Sequence, residues 1–165
     1  CASRPGMTYS DILGRWFDCE AINLGFSGNA RMDRSMLEAI KRIDAQKYVI
    51  NCLPNCTQEI IRDSAYHFMS TLAKERPEVT IYMVENVEFT DRHINQRTAK
   101  DLVEKNRMWS DLYKQLRKEG YKNLRYIPSE GYVGTDDEHS VDGAHFTDLG
   151  FMRMAETFKK YLKKR

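Results

Sequence analysis

The sequence predicts an α/β fold, a three-layer α/β/α sandwich around a mostly parallel sheet. Three observations carry this. Short apolar runs alternate along the chain with apolar residues at helical spacing. Glycine and proline punctuate the joins between them. The apolar runs read as buried strands, and strands that alternate with helices imply right-handed crossovers and a sheet covered on both faces. A chain of 165 residues suits one domain with one core, so 1–165 is expected to form a single domain.

The elements follow in order. Tyr9, Ile12, Leu13, Trp16 and Phe17 mark a first helix after Pro5-Gly6. "AINLG" is short and apolar and predicts a strand that ends in a glycine turn. Met36, Leu37, Ile40 and Ile43 form the next stripe, with Asp33 as N-cap. "YVINCL" predicts a second strand. Ile61, Ala65, Phe68 and Leu72 form a helix that stops before Pro77. "VTIYMV" is β-branched and apolar, hence a strand. Leu102, Trp109, Leu112, Tyr113 and Leu116 mark a long helix closed by Gly120. "NLRYI" is a short strand before Pro128. Phe151, Met154, Ala155, Phe158 and Leu162 make the last helix, which Thr147 can cap.

Composition narrows the function classes. Hydrophobic residues are 41% and charged residues 30% of the chain, an ordinary globular balance. A net charge of +2 argues against a nucleic-acid partner, which asks for a clustered basic face. The basic run Lys159, Lys160, Lys163, Lys164 and Arg165 reads as cations complementing a helix C-terminus. No apolar run approaches the roughly 20 residues of a membrane span, and no signal-peptide pattern opens the chain, which begins at Cys1. The compartment and oligomeric state are not legible. Cys1, Cys19, Cys52 and Cys56 match no zinc spacing; Cys52 reads as core and Cys56 as lying near a cleft.

In a parallel sheet, ligands bind outside the carboxyl ends of the strands, so the residues after each strand carry the argument. Asp142 and His145 stand in a glycine-containing turn before the last helix. Asp142 can fix the tautomer of His145, leaving the other ring nitrogen to take a proton from a hydroxyl nucleophile. The alternative is a turn that Asp142 and Thr147 merely shape and cap. Asn55 follows a strand and Pro54, where its amide can reach a developing oxyanion or simply sit in a turn. Gly28, in "GFSGN", either lets a backbone N–H approach a ligand or makes a plain turn. Ser27 and Asn29 read as turn residues. The acidic "TDDEHSVDGAH" could offer oxygen ligands to Ca²⁺, but its irregular spacing favours a solvated loop. "VENVEFTDRH" reads as a polar surface loop or a substrate-facing lid.

Together these residues resemble the SGNH (GDSL-like) hydrolase superfamily. "INLGFSGN" looks like its second block with Gly28, "INCLPN" like its third with Asn55, and "VDGAHFTDLGFMRMA" like its fifth with Asp142 and His145. The likeness is close to a GDSL-like lipase/acylhydrolase subgroup and runs along essentially the whole chain. Leu53 and Cys56 replace a glycine and an aspartate common in the third block.

The resemblance implies a flavodoxin-like SGNH fold and an ester hydrolase of small acyl esters such as O-acetyl groups on sugars. It implies Asp142 and His145 as catalytic residues, Gly28 and Asn55 as oxyanion donors, and no metal or organic cofactor. The family's first strand and nucleophilic serine would precede Cys1. Ser3, in "ASRPG", reads as a loop or capping serine instead. A non-catalytic α/β binding module or nucleophile-less remnant, and an acyltransferase using the same machinery, are the rival readings.

Overall fold

The computed structural model describes residues 4–163. Cys1, Ser3, Lys164 and Arg165 lie outside the described residues. The chain is α/β and divides into two compact units.

One unit comprises Gly25–Asn86 and Lys100–Pro128. It holds α2 (Arg34–Ile40), β1 (Lys47–Ile50), α3 (Gln58–Ile60), α4 (Tyr66–Glu75), β2 (Thr80–Val84), most of α5 (Gln96–Lys118) and β3 (Leu124–Ile127). Among the described residues the sheet has three parallel strands in the order β1-β2-β3. Lys47 stands opposite Thr80, and Ile81 opposite Leu124. Parallel pairing needs long crossovers, which α3–α4 and α5 supply.

The side-chain period of a strand is two, so alternate residues share a face. Tyr48, Ile50, Ile81, Met83 and Leu124 form one such face and join a single buried cluster with Phe68, Leu72, Trp109 and Leu116. Tyr82, Val84 and Ile127, on the alternate positions, are buried as well. That explains why "VTIYMV" is apolar throughout. Thr57 caps α3 through its hydroxyl, which accepts from the Ile60 N–H at 3.2 Å. A π-turn at Ile61–Ala65 joins α3 to α4 without breaking the helical path. Gly120, at φ +101°, ends α5 in the left-handed region that glycine adopts without strain.

The other unit comprises the described parts of Cys1–Leu24, Val87–Ala99 and Ser129–Arg165. α1 (Tyr9–Phe17) and α6 (Asp148–Leu162) pack together. The Phe158 ring meets Tyr9 at 5.2 Å and Tyr132 at 5.6 Å, both edge-on. Thr8 and Thr147 cap the two helices through their hydroxyls, which accept from the N–H groups of Asp11 and Gly150.

Three expectations are corrected. "AINLG" joins no β ladder among the described residues, and Ile22 is 55% exposed. An apolar run becomes a strand only where a neighbouring strand accepts its backbone bonds and a core takes its side chains. α2 begins after Asp33 as expected, but the Asp33 side chain makes no capping bond. Ile43 lies beyond α2, in the turn before β1.

Candidate active site

The turn that carries Asp142 and His145 is built by backbone bonds across its base. The Val141 N–H donates to His145 O at 2.7 Å, and the Thr147 N–H to His139 O at 2.9 Å. Ser140 and Phe146 form an antiparallel bridge. Within that frame, Asp142 Oδ1 accepts the N–H groups of Ala144 at 3.1 Å and His145 at 2.8 Å. Its other oxygen lies 2.6 Å from His145 Nδ1.

The backbone bond from His145, then the imidazole, then the Ala144 N–H hold the Asp142 carboxyl down at about 2. At neutral pH the carboxylate is therefore ionised and only accepts. The shared proton belongs to Nδ1, so in the neutral ring Nε2 carries the lone pair. Both side chains are 52% exposed, which leaves the pair open to a substrate.

A second segment of the same unit braces this turn. Gly143 has φ +99°, and a Cβ there would lie 3.3 Å from Asp91 Cβ and Cγ. The Thr90 N–H donates to Gly143 O at 2.9 Å. "VENVEFTDRH" is thus a brace for the turn from Thr90 onward, rather than a plain surface loop. His139, at the base of the turn, is buried; its Nε2 lies 3.4 Å from Glu88 O and its ring meets Phe146 edge-on at 5.8 Å. Burial pulls the His139 imidazole below its ordinary value.

The acidic loop is held by arginines. Asp136 takes Arg153 on both oxygens, at 2.6 and 2.7 Å, and Asp137 takes Arg92 at 2.6 Å. These guanidinium contacts push both carboxyls below their ordinary range. Among the described residues no group of three or more acidic, histidine or cysteine side chains could hold a metal ion.

Gly28 and Asn55 belong to the other unit. Gly28 ends a 3-10 turn, Phe26–Gly28, in which three consecutive residues have positive φ: 45°, 44° and 89°. For Phe26 and Ser27 that conformation is strained, and strained turns gather at functional sites. An added Cβ on Gly28 would meet nothing within 4 Å.

Asn55 ends a 3-10 turn, Leu53–Asn55, after β1. Its N–H donates to Cys52 O at 3.0 Å, while its side-chain amide makes no hydrogen bond among the described residues. Cys56 ties this turn to the Gly28 segment. Its Sγ lies 3.3 Å from Cys52 O and 4.0 Å from Ala30 O. Cys56 is 3% exposed and packed, and Cys52 is core as expected.

The structure thus pairs Asp142 with His145 directly. It sets Gly28 and Asn55 in turns of one unit, and the Asn55 side-chain amide makes no hydrogen bond among the described residues. Sequence reasoning passed over Arg153, and it placed Thr90 and Asp91 in "VENVEFTDRH" and His139 in the acidic loop without linking them to the Asp142 turn. Only the glycine of "VDGAH" pointed toward them, through a backbone conformation that a partner must support.

The family model described as GDSL-like Lipase/Acylhydrolase matches residues 1–163. The crystal structure of a protein described as a GDSL-like lipase from Bacteroides ovatus ATCC 8483 is similar, with TM-score 0.92 and 35% identity over 98% of this chain and 48% of that one. The salicylyl-acyltransferase SsfX3 of a tetracycline biosynthetic pathway shares the fold, with TM-score 0.75 and 13% identity over 96% of this chain and 49% of that one. This chain spans about half the length of each. No curated protein matches the sequence.

Proposed function

This chain belongs to the GDSL-like lipase/acylhydrolase family, and from that premise we propose that it forms part of an ester hydrolase acting on small acyl esters such as sugar O-acetyl groups. The observation that carries the reading is the 2.6 Å contact between Asp142 and His145 Nδ1, which leaves the Nε2 lone pair for a proton.

In this reading a serine in a segment preceding Cys1 is the nucleophile. His145 Nε2 takes its proton as the hydroxyl attacks the ester carbonyl, and the carbonyl oxygen becomes an oxyanion. The Gly28 N–H and the Asn55 amide stabilise that charge beside the nucleophile's own N–H. His145 then returns the proton to the departing alcohol, and the acyl group stays on the serine. Water, deprotonated by the same imidazole, attacks the acyl-enzyme and regenerates the serine. Asp142 keeps the ring in the required tautomer and stabilises its charged form. Each protein group has its role without a metal or organic cofactor.

The Asn55 side-chain amide makes no hydrogen bond among the described residues, which supports its oxyanion role. Asn55→Ala should lower kcat by on the order of a hundredfold or more. Acyl transfer uses the same acyl-enzyme, with another hydroxyl in place of water.

The test uses the whole protein that contains this chain. It should turn over 4-nitrophenyl acetate and react with a fluorophosphonate at one serine. Neither turnover nor labelling would make it a binding module instead. Turnover that rises when an alcohol acceptor replaces water would make it an acyltransferase.

A further inference from the structure

Arg31 hangs from the same turn as Gly28. Its Nε donates to Gly28 O at 3.1 Å. Met32, which follows, has φ +60° and is 5% exposed, so the backbone at the base of the arginine is pinned by a buried side chain. A guanidinium has five N–H donors in a planar fork, and this contact uses one of them.

In the same unit Arg76 is paired with Glu78, and Arg107 with Glu104 and Asp111. Among the described residues Arg31 has no carboxylate within 4.0 Å and no other bond. Arg31 is exposed, and its Nε is held at the Gly28 peptide.

Its charge also reaches the Asn55 turn. The Cys56 thiol is drawn down first by its hydrogen bond with Cys52, against burial, and then by the charges of Lys105 and Arg31, while Asp33 opposes them. Lys105 is neutralised by Asp101 at 3.1 Å. Asp33 makes no ion pair with Arg31. Geometry links the two turns as well: Arg31 is anchored on Gly28 O, and Cys56, next to Asn55, reaches Ala30 O, next to Arg31, at 4.0 Å.

We infer that Arg31 is a specificity residue for anionic esters: its terminal nitrogens receive a carboxylate that the substrate carries next to the ester group addressed by Gly28. The inference rests on the ester-hydrolase reading. The substrate class it names is the O-acetylated uronate, a sugar with a planar carboxylate close to its acyl group. A guanidinium fork matches two carboxylate oxygens with two parallel hydrogen bonds, which a neutral sugar cannot return.

Two readouts test it on the whole protein at low salt. The first is acetate release from an O-acetylated methyl glucuronide and from its primary amide, a neutral analogue of the same shape. The kcat/KM ratio of acid to amide should be about tenfold, fall to about one in Arg31→Gln, and stay between the two in Arg31→Lys. The second is calorimetric binding of unacetylated methyl glucuronide, which needs no catalysis; Arg31→Gln should weaken it about tenfold.

Acetate release with no preference for the acid, or a preference that survives Arg31→Gln, overturns the role of Arg31 and leaves the hydrolase reading standing. Binding of the glucuronide that depends on Arg31, with no acetate released from either substrate, overturns the hydrolase reading and keeps the anion site.

Discussion

Asp142 grips His145 at two points: one carboxylate oxygen accepts its backbone N–H at 2.8 Å, and the other lies 2.6 Å from ring Nδ1. A single side chain therefore sets both the path of the chain into residue 145 and the orientation of its ring. The D-x-x-H spacing follows from this. Three residues is the span over which an aspartate can close an Asx-type turn on the backbone and still reach the side chain.

Asp142→Asn should separate these two functions. The amide oxygen can still accept the backbone N–H groups, but an NH₂ facing Nδ1 forces the proton to Nε2. We expect kcat to fall by about 10³- to 10⁴-fold while the circular dichroism spectrum is kept.

The same substitution should change the acid stability profile. The Asp142 carboxyl is held at about 2 in the folded chain, below its ordinary 3.8. A depressed carboxyl stabilises the fold above its unfolded value and stops doing so as pH falls through the folded one. The wild-type advantage over Asp142→Asn in urea unfolding should therefore be full above about pH 5 and shrink towards pH 2. A constant gap across that window would contradict the pairing.

Gly143→Ala and Gly28→Ala should differ in cost. Both glycines have positive φ, +99° and +89°, so each substitution strains the backbone by about 1 kcal/mol or more. At Gly143 the new Cβ also presses on Asp91 at 3.3 Å, whereas at Gly28 it meets nothing within 4 Å. Urea titration should show Gly143→Ala to be the more destabilising, and the gap measures the brace behind the Asp142–His145 turn.

Leu116→Ala and Val103→Ala test which face of α5 is buried. Leu116 is fully buried in the sheet unit's core, while Val103 is 61% exposed. Leu116→Ala should cost about 2–5 kcal/mol in denaturant unfolding. Val103→Ala should stay within about 0.5 kcal/mol.

Much of this was readable along the chain because it is periodic or local. Ile12, Leu72, Leu116 and Phe158 fall on the helical stripes and are buried there. "VTIYMV" gives β2, and Thr147 caps α6 as its place before the last stripe suggested. The Asp142–His145 pair is legible because three residues separate its members.

What was hidden is long-range. Gly143 meets Asp91 and Thr90, and Asp136 meets Arg153, through contacts that no window of neighbouring residues contains. "AINLG" failed for the same reason, since a strand is defined by its neighbours and not by its own composition. The anchorage of Arg31 on Gly28 spans only three residues, yet it was missed because an arginine after a turn carries no pattern of its own.

The most direct measurement is hydrolysis of 4-nitrophenyl acetate by the whole protein bearing His145→Ala, with imidazole then added back. The account expects kcat/KM to fall by roughly 10³-fold or more and to recover in part with imidazole, because the lost group is a proton acceptor. Turnover by His145→Ala equal to that of the unaltered protein would contradict it.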